Sequence, residues 1–189
     1  MKQAKGKSAE SKGKQDAIAL LKADHRQVEE WFEQFEKTES ADRKQDLATN
    51  ICNALTVHAT IEEEIFYPAF LEATDDKDIH HEAEIEHEAA KRLIAEIEDS
   101  GPDDEYFGSK VKVLSEMIKH HVKEEEQPEG MFAEARDSDM DLDALGEQLA
   151  ARKAELEGET ESDDSDEPPQ GKSGEKQEKT AGRDMKGAR

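Results

Sequence analysis

His58 and Glu62 stand four residues apart in HATIEEEIFYPAF (residues 58–70), and His121 and Glu125 repeat the spacing in HHVKEEE (residues 120–126). Residues i and i+4 lie one turn apart on the same helix face. Each pair therefore aims an imidazole nitrogen and a carboxylate oxygen at one place, a donor mix that suits iron, manganese or zinc. His25 and His87 occupy comparable apolar-stripe positions on other helices. Burying six ionisable groups is costly unless something compensates. A cation compensates, and it keeps buried glutamates ionised. Four imidazoles and two carboxylates are too many for one tetrahedral zinc with an open position. They suit two metals, each with two histidines, sharing two bridging carboxylates and lying roughly 3.5–4 Å apart.

Four helices must carry these residues. The first spans about 17–37 with Asp16 as its cap, and Ile18, Leu21, His25, Val28, Phe32 and Phe35 form one stripe. The second spans about 41–72 after Ser40, through Leu47, Ile51, Ala54, Leu55, His58, Glu62, Ile65, Phe66 and Ala69, with Pro68 as a candidate kink. The third spans about 77–99, with His80, Ala83, His87, Ala90, Ile94 and Ile97 inward, and Ser100-Gly101-Pro102 stops it. The fourth spans about 104–126, with Val111, Leu114, Ile118, His121 and Glu125 in one stripe. A fifth, at 142–157, is capped by Asp141 and ended by Gly158. No alternating pattern argues for strands. The expectation is an all-α, up-down-up-down four-helix bundle over residues 16–136 with a trailing helix over 137–157. In that topology early positions on helices one and three face late positions on two and four, which brings the histidines to one level.

Composition sets the rest. Apolar residues make up 33% and charged residues 40%, so part of the chain should stay unfolded; residues 1–15 and 158–189 read as disordered tails. Residues 1–14 carry five lysines and one glutamate, and residues 158–189 nine acids and six bases. The total of −23 therefore leaves −24 for residues 16–157. Such a body is repelled by nucleic acid and by anionic membranes. One cysteine, Cys52, makes no internal disulfide and fits a reducing cytoplasm. The start, MKQAKGKSAESKGK, lacks the apolar run of a secretory signal.

The chain resembles the hemerythrin-like family over about residues 16–136. The matching text is LKADHRQVEEWFEQFE around His25, LTVHATIEEEIFYPAF around His58 and Glu62, EAEIEHEAAKRLI around His87, and HHVKEEE around His121 and Glu125. LDALGEQLAARKAEL is similar to the helix that trails many bacterial members. The resemblance implies a non-haem di-iron centre held by His25, His58, Glu62, His87, His121 and Glu125, with manganese or zinc as lesser options. It implies a small oxidant (oxygen, peroxide or nitric oxide) as partner, in a monomer that binds, senses or stores. A catalase- or peroxidase-like enzyme of oxidative stress defence is the alternative, and a metal-free structural stress protein a further one. The family's oxygen carriers have a second histidine on helix three where this chain has Ala83, and an aspartate at a longer spacing where it has Glu125. Glu84 is a candidate replacement donor.

Other residues compete. His120 and Glu124 are also four apart, but the longer apolar stripe favours His121. His80 lies seven residues from His87, about 10 Å along the axis, too far to share its metal. His81, Glu63 and Glu64 read as solvated, with Glu63 as an extra ligand the lesser option, and Tyr67 falls nearly opposite His58 on a regular helix, able to reach a pocket only through the kink. Trp31, Phe32 and Phe35 read as core, and Cys52 as a buried inert thiol. Asp24 and Glu86 are candidates to hydrogen-bond a ligand's second nitrogen.

Overall fold

The structure, a computed structural model, describes residues 15–163, with side chains to residue 159. The expected tails lie outside these residues, apart from Gln15 and the last turn of the final helix. The described residues form α1 (Ala17–Lys37), α2 (Ala41–Ile61), a π turn (Glu62–Phe66), α3 (Tyr67–Thr74), α4 (Lys77–Glu98), α5 (Phe107–Glu126), α6 (Met131–Asp137) and α7 (Leu142–Asp163). Among them α1, the continuous α2–α3 rod, α4 and α5 make an up-down-up-down bundle. No described helix is long and apolar enough to cross a membrane.

The caps are those the sequence favours. Asp16 accepts from the Ala19 N–H at 2.7 Å, and Ser40 from that of Arg43 at 3.3 Å. Asp76 accepts from the N–H groups of both Asp78 and Ile79. Each satisfies donors the first turn leaves orphaned. Asp75, at φ 55°, closes α3 in the left-handed conformation, which aspartate tolerates better than most residues.

Two apolar clusters fill the bundle. One, around Phe32, Phe35, Leu47, Ile51, Phe107 and Leu114, occupies one end. The other, around Ile18, Leu21, Phe66, Phe70, Met131 and Phe132, occupies the opposite end. His25, His58, Glu62, His87, His121 and Glu125 are all buried. Along α1, Ile18 and Leu21 belong to one cluster and Val28 and Phe32 to the other, so His25 marks a polar layer between them.

Several elements differ from expectation. The second helix is not a uniform rod kinked at Pro68: the Tyr67 N–H reaches back to the Glu62 carbonyl, five residues away. This wide turn precedes Pro68, which lacks an N–H and crowds the preceding turn of a regular helix. α4 ends without a left-handed glycine; Asp99 is its right-handed cap, and the Ser100 hydroxyl donates to the Glu96 and Ile97 carbonyls. α5 begins at Phe107 rather than 104, because Asp104 draws the Tyr106 N–H into a turn at 2.6 Å.

The short α6 was not foreseen. Its Met131, Phe132 and Ala135 are buried under the bundle, and Gly130 permits the close entry: a Cβ there would stand 2.2 Å from the Glu124 carbonyl oxygen. α7 runs past Gly158 to Asp163. An exposed glycine costs a helix about 1 kcal/mol relative to alanine, which weakens the helix without ending it. Gly146 lets α7 approach the start of α1, where a Cβ would lie 2.4 Å from the Gln15 carbonyl oxygen.

Candidate metal centre

The six expected residues converge in the polar layer. The Nε2 atoms of His25 and His58 lie 3.0 Å apart, and those of His87 and His121 lie 3.2 Å apart. Glu62 Oε2 sits 3.2 Å from His58 Nε2 and 3.5 Å from His87 Nε2. Glu125 answers it from α5, with Oε2 3.4 Å from His25 Nε2 and Oε1 3.6 Å from His121 Nε2. Each glutamate thus spans both histidine pairs. The atoms divide into two candidate cation groups, His25–His58–Glu62–Glu125 and Glu62–His87–His121, with Glu62 in both. Adjacent ligands about 2.1 Å from one ion stand about 3 Å apart at octahedral angles and about 3.4 Å at tetrahedral ones, and the nitrogens of each pair, 3.0 and 3.2 Å apart, fall in that range.

Both oxygens of Glu62, and Glu125 Oε2, are buried without a hydrogen-bond partner. Native interiors rarely leave such atoms unsatisfied without a reason, an ion being one.

Three of the four outward nitrogens are also hydrogen-bonded. His25 Nδ1 lies 2.9 Å from Glu126 Oε1, His87 Nδ1 2.9 Å from Glu63 Oε1, and His121 Nδ1 2.8 Å from Glu86 Oε2. The fourth, His58 Nδ1, lies 3.6 Å from Asp24 Oδ2, and neither atom has a hydrogen-bond partner. Every one of these carboxylates is the chain neighbour of an inner residue, yet serves a different helix. Asp24, beside His25, faces His58; Glu63, beside Glu62, faces His87; Glu86, beside His87, faces His121; Glu126, beside Glu125, faces His25. One residue of offset rotates a side chain about 100° around its helix, away from the centre and toward the neighbouring helix. The outer carboxylates are anchored in turn: Glu126 by Arg26 and Lys22, Asp24 by Lys153, Glu63 by Lys91. Glu86 meets His120 Nε2 at 3.2 Å.

Charges follow from this packing. Burial opposes a charge on His58, but Glu62 and Asp24 outweigh it and raise the imidazole pKa to about 10. His121 rises against burial to about 9, through Glu125 and Glu86. Burial lowers His25, and the Glu126 hydrogen bond only partly restores it. Burial pushes Glu125 upward and the charge of Glu62 adds to the shift. Glu62 is held low despite burial, chiefly by His58. Glu126 is drawn down to about 2 by the hydrogen bond from His25.

Tyr67 is the residue the sequence misplaced. Its hydroxyl lies 3.2 Å from His87 Nε2 and 3.3 Å from Glu125 Oε1, and the side chain is buried. The π turn adds one residue to the helix phase and turns Tyr67 inward. Burial, with Glu62 and Glu125 nearby, pushes its phenol pKa up. Glu84 does not replace the missing imidazole: it is 53% exposed and pairs with His80 at 3.5 Å. His120 is 58% exposed, so His121 is the core histidine of α5. Glu63 is an outer partner, and Glu64 binds Arg152 of α7. Cys52 is buried, and burial raises its thiol pKa to about 12. Beside the histidines lies a cavity of about 30 Å³ walled by Val28, Leu55, Ala90, Ile94 and Ile118, room for one small molecule. A second, of about 40 Å³, lies between Ala83, Glu124 and Met131 and reaches His121 and Glu125.

Residues 16–135 match the Hemerythrin HHE cation binding domain. By structure the chain is similar to a hemerythrin HHE cation binding domain-containing protein from Mycobacterium kansasii. The TM-score is 0.65 at 21% identity, covering 78% of this chain and 91% of that one. By sequence it is 27% identical over 122 residues to a DNA nickase of Nostoc sp. (strain PCC 7120 / SAG 25.82 / UTEX 2576), covering 63% of this chain. The chain spans about a third of that relative's length, 33%.

Proposed function

The chain belongs to the hemerythrin HHE cation-binding family, and from that premise we propose that it holds two iron ions and engages a small oxidant such as oxygen, peroxide or nitric oxide. His25 and His58 would hold one ion and His87 and His121 the other, with Glu62 and Glu125 as carboxylate ligands between the two pairs. The observation that carries this reading is the convergence of four Nε2 atoms and two glutamates, three of whose four carboxylate oxygens lack hydrogen bonds. Three of the imidazoles are hydrogen-bonded to a carboxylate, which fixes the tautomer and raises basicity, and His58 has Asp24 nearby. When bound, such a pair of ions supplies electrons to, or accepts them from, a small oxygen species. The cavity of about 30 Å³ beside the histidines, walled largely by apolar side chains, has room for a small molecule. Manganese and zinc share the donor preferences and are the lesser options.

Metal analysis and an optical spectrum of freshly purified protein test this. Two irons per chain are expected, falling by half or more in His58→Ala. Full metal content and an unchanged spectrum in that variant would refute the assignment. Absence of tight metal, with stability indifferent to a chelator, would favour a purely structural protein.

One observation favours peroxide turnover as a second reading. The Tyr67 hydroxyl holds a proton at the centre, where conversion of two peroxides to oxygen and two waters must move protons. Oxygen release above that of free iron, reduced in Tyr67→Phe, is the expected outcome; a stable reversible oxygen adduct with no turnover supports binding or sensing instead. The acidic body argues against nucleic acid as a partner, and nicking of DNA is named for a relative of which the match covers only 33%. A monomer in the cytoplasm accords with the single buried thiol.

A further inference from the structure

Two other groups of donor atoms converge among the described residues: Glu82–Glu86–His120, and His80–His81–Glu84. The first is tied to the centre, since Glu86 already bonds His121 Nδ1. The second stands apart from it, on the first two turns of α4. His80 and Glu84 are one turn apart on the same face, with Nδ1 and Oε2 3.5 Å from each other. His80 Nδ1 is buried and has no hydrogen-bond partner. His81 brings a ring nitrogen into the same 4.8 Å cluster. Donors bound about 2.1 Å from one ion at tetrahedral angles are about 3.4 Å apart, so the His80–Glu84 separation is that of two ligands of one ion.

The side chains differ in how firmly they are held. His80 is 12% exposed, and its ring packs edge-on against Tyr67, with centroids 5.7 Å apart at 80°. Glu84 is 53% exposed and free to swing. One imidazole is therefore preorganised, while a second and a carboxylate close from solvent.

We propose that His80, His81 and Glu84 form a surface site for a single divalent transition ion of the zinc or ferrous class, separate from the centre. Two nitrogens and one carboxylate select such ions over calcium or magnesium, which prefer all-oxygen shells. The remaining positions go to water, so this ion exchanges with solvent. One ring separates it from the centre: Tyr67 touches His80 with its face and edge, and His87 and Glu125 with its hydroxyl.

The test titrates full-length protein, its metal content first measured, with zinc by calorimetry. One further equivalent is expected, and none with calcium. His80→Ala and Glu84→Gln each weaken that equivalent about tenfold or more, the lower end of what even an outer-shell loss costs, with the metal content of the purified protein unchanged. Glu84→Gln alters an exposed side chain and keeps the test valid if His80→Ala fails to fold. No further equivalent, or one that survives both substitutions, overturns the proposal. One lost with His120→Ala instead places the ion at Glu82–Glu86–His120 and overturns it as well.

Discussion

His25 and His58 are 33 residues apart in the chain, yet their Nε2 atoms face each other at 3.0 Å in the core. Without metal, one nitrogen of each pair must carry the proton that the other accepts, and His87 and His121 face each other in the same way at 3.2 Å. On the proposed reading an ion takes the place of that proton in each pair. His25→Ala should therefore lower tightly bound metal by half or more, as elemental analysis would read it. His120→Ala, one residue from a core ligand but exposed, should leave it unchanged. Equal losses in the two variants would contradict the proposed ligand set.

Metal loading should release protons. At pH 7 the metal-free protein holds His58 and His121 protonated, with pKa values of about 10 and 9, and metal ligands must be deprotonated. At least two protons per chain should appear on loading, measurable by calorimetry in buffers of different ionisation enthalpy. Heats independent of the buffer would contradict this.

Stability of the metal-free protein should depend on pH in the matching direction. His58 titrates near 6.5 when unfolded and at about 10 when folded. Its contribution is full below the unfolded value and is lost as pH rises through the folded one. The melting temperature of chelated protein should fall between pH 7 and 10. The loaded protein should weaken instead in acid, where protons displace metal from imidazole.

α7 should matter to the centre although it supplies no inner residue. Lys153 bonds Asp24, and Asp24 faces His58 Nδ1. Asp24→Asn should weaken metal binding about 10- to 100-fold, the usual effect of losing an outer partner. Lys153→Ala should act in the same direction and less strongly. Competition against a chromogenic chelator measures both, and wild-type affinity in Asp24→Asn would remove Asp24 from any such role.

Gly130→Ala should destabilise the fold by about 1–3 kcal/mol, the range for overpacking. The added methyl would meet the Glu124 and Glu125 backbone carbonyls at 2.2 and 2.8 Å, and backbone yields less readily than a side-chain tip. The denaturant midpoint should drop at constant slope. An unchanged midpoint would mean that α6 is free to move away.

The four stripes, their histidines and both His-x-x-x-Glu pairs were legible in the sequence because burial follows a 3.6-residue period. Legibility failed where the period changed. Past Glu62 a regular helix buries Ile65, Phe66 and Ala69; the structure instead buries Phe66, Tyr67 and Phe70, the pattern displaced by one residue. Phe70 beside the smaller Ala69 was the available signal, and Pro68 the available cause. Asp24 and Glu86 are outer candidates from sequence and Glu63 and Glu126 are not; the targets of all four lie on other helices, so no local spacing encodes the pairings. α6 escaped because seven residues show too little periodicity.

The crossing pattern of the outer carboxylates has a broader meaning. An acid followed by histidine on one helix, then His-x-x-x-Glu-Glu on the next, occurs twice: Asp24-His25 with His58 to Glu63, and Glu86-His87 with His121 to Glu126. The two hairpins are related by an approximate dyad through the centre, and ring centroids within each imidazole pair are 4.7 Å apart on both sides. One break in the dyad is a hydroxyl: Phe132 stacks flat beside His25, whereas Tyr67 presents its oxygen to His87. Two ions held here would be near-twins in ligation and unlike in surroundings, so chemistry that needs a proton would belong to one of them.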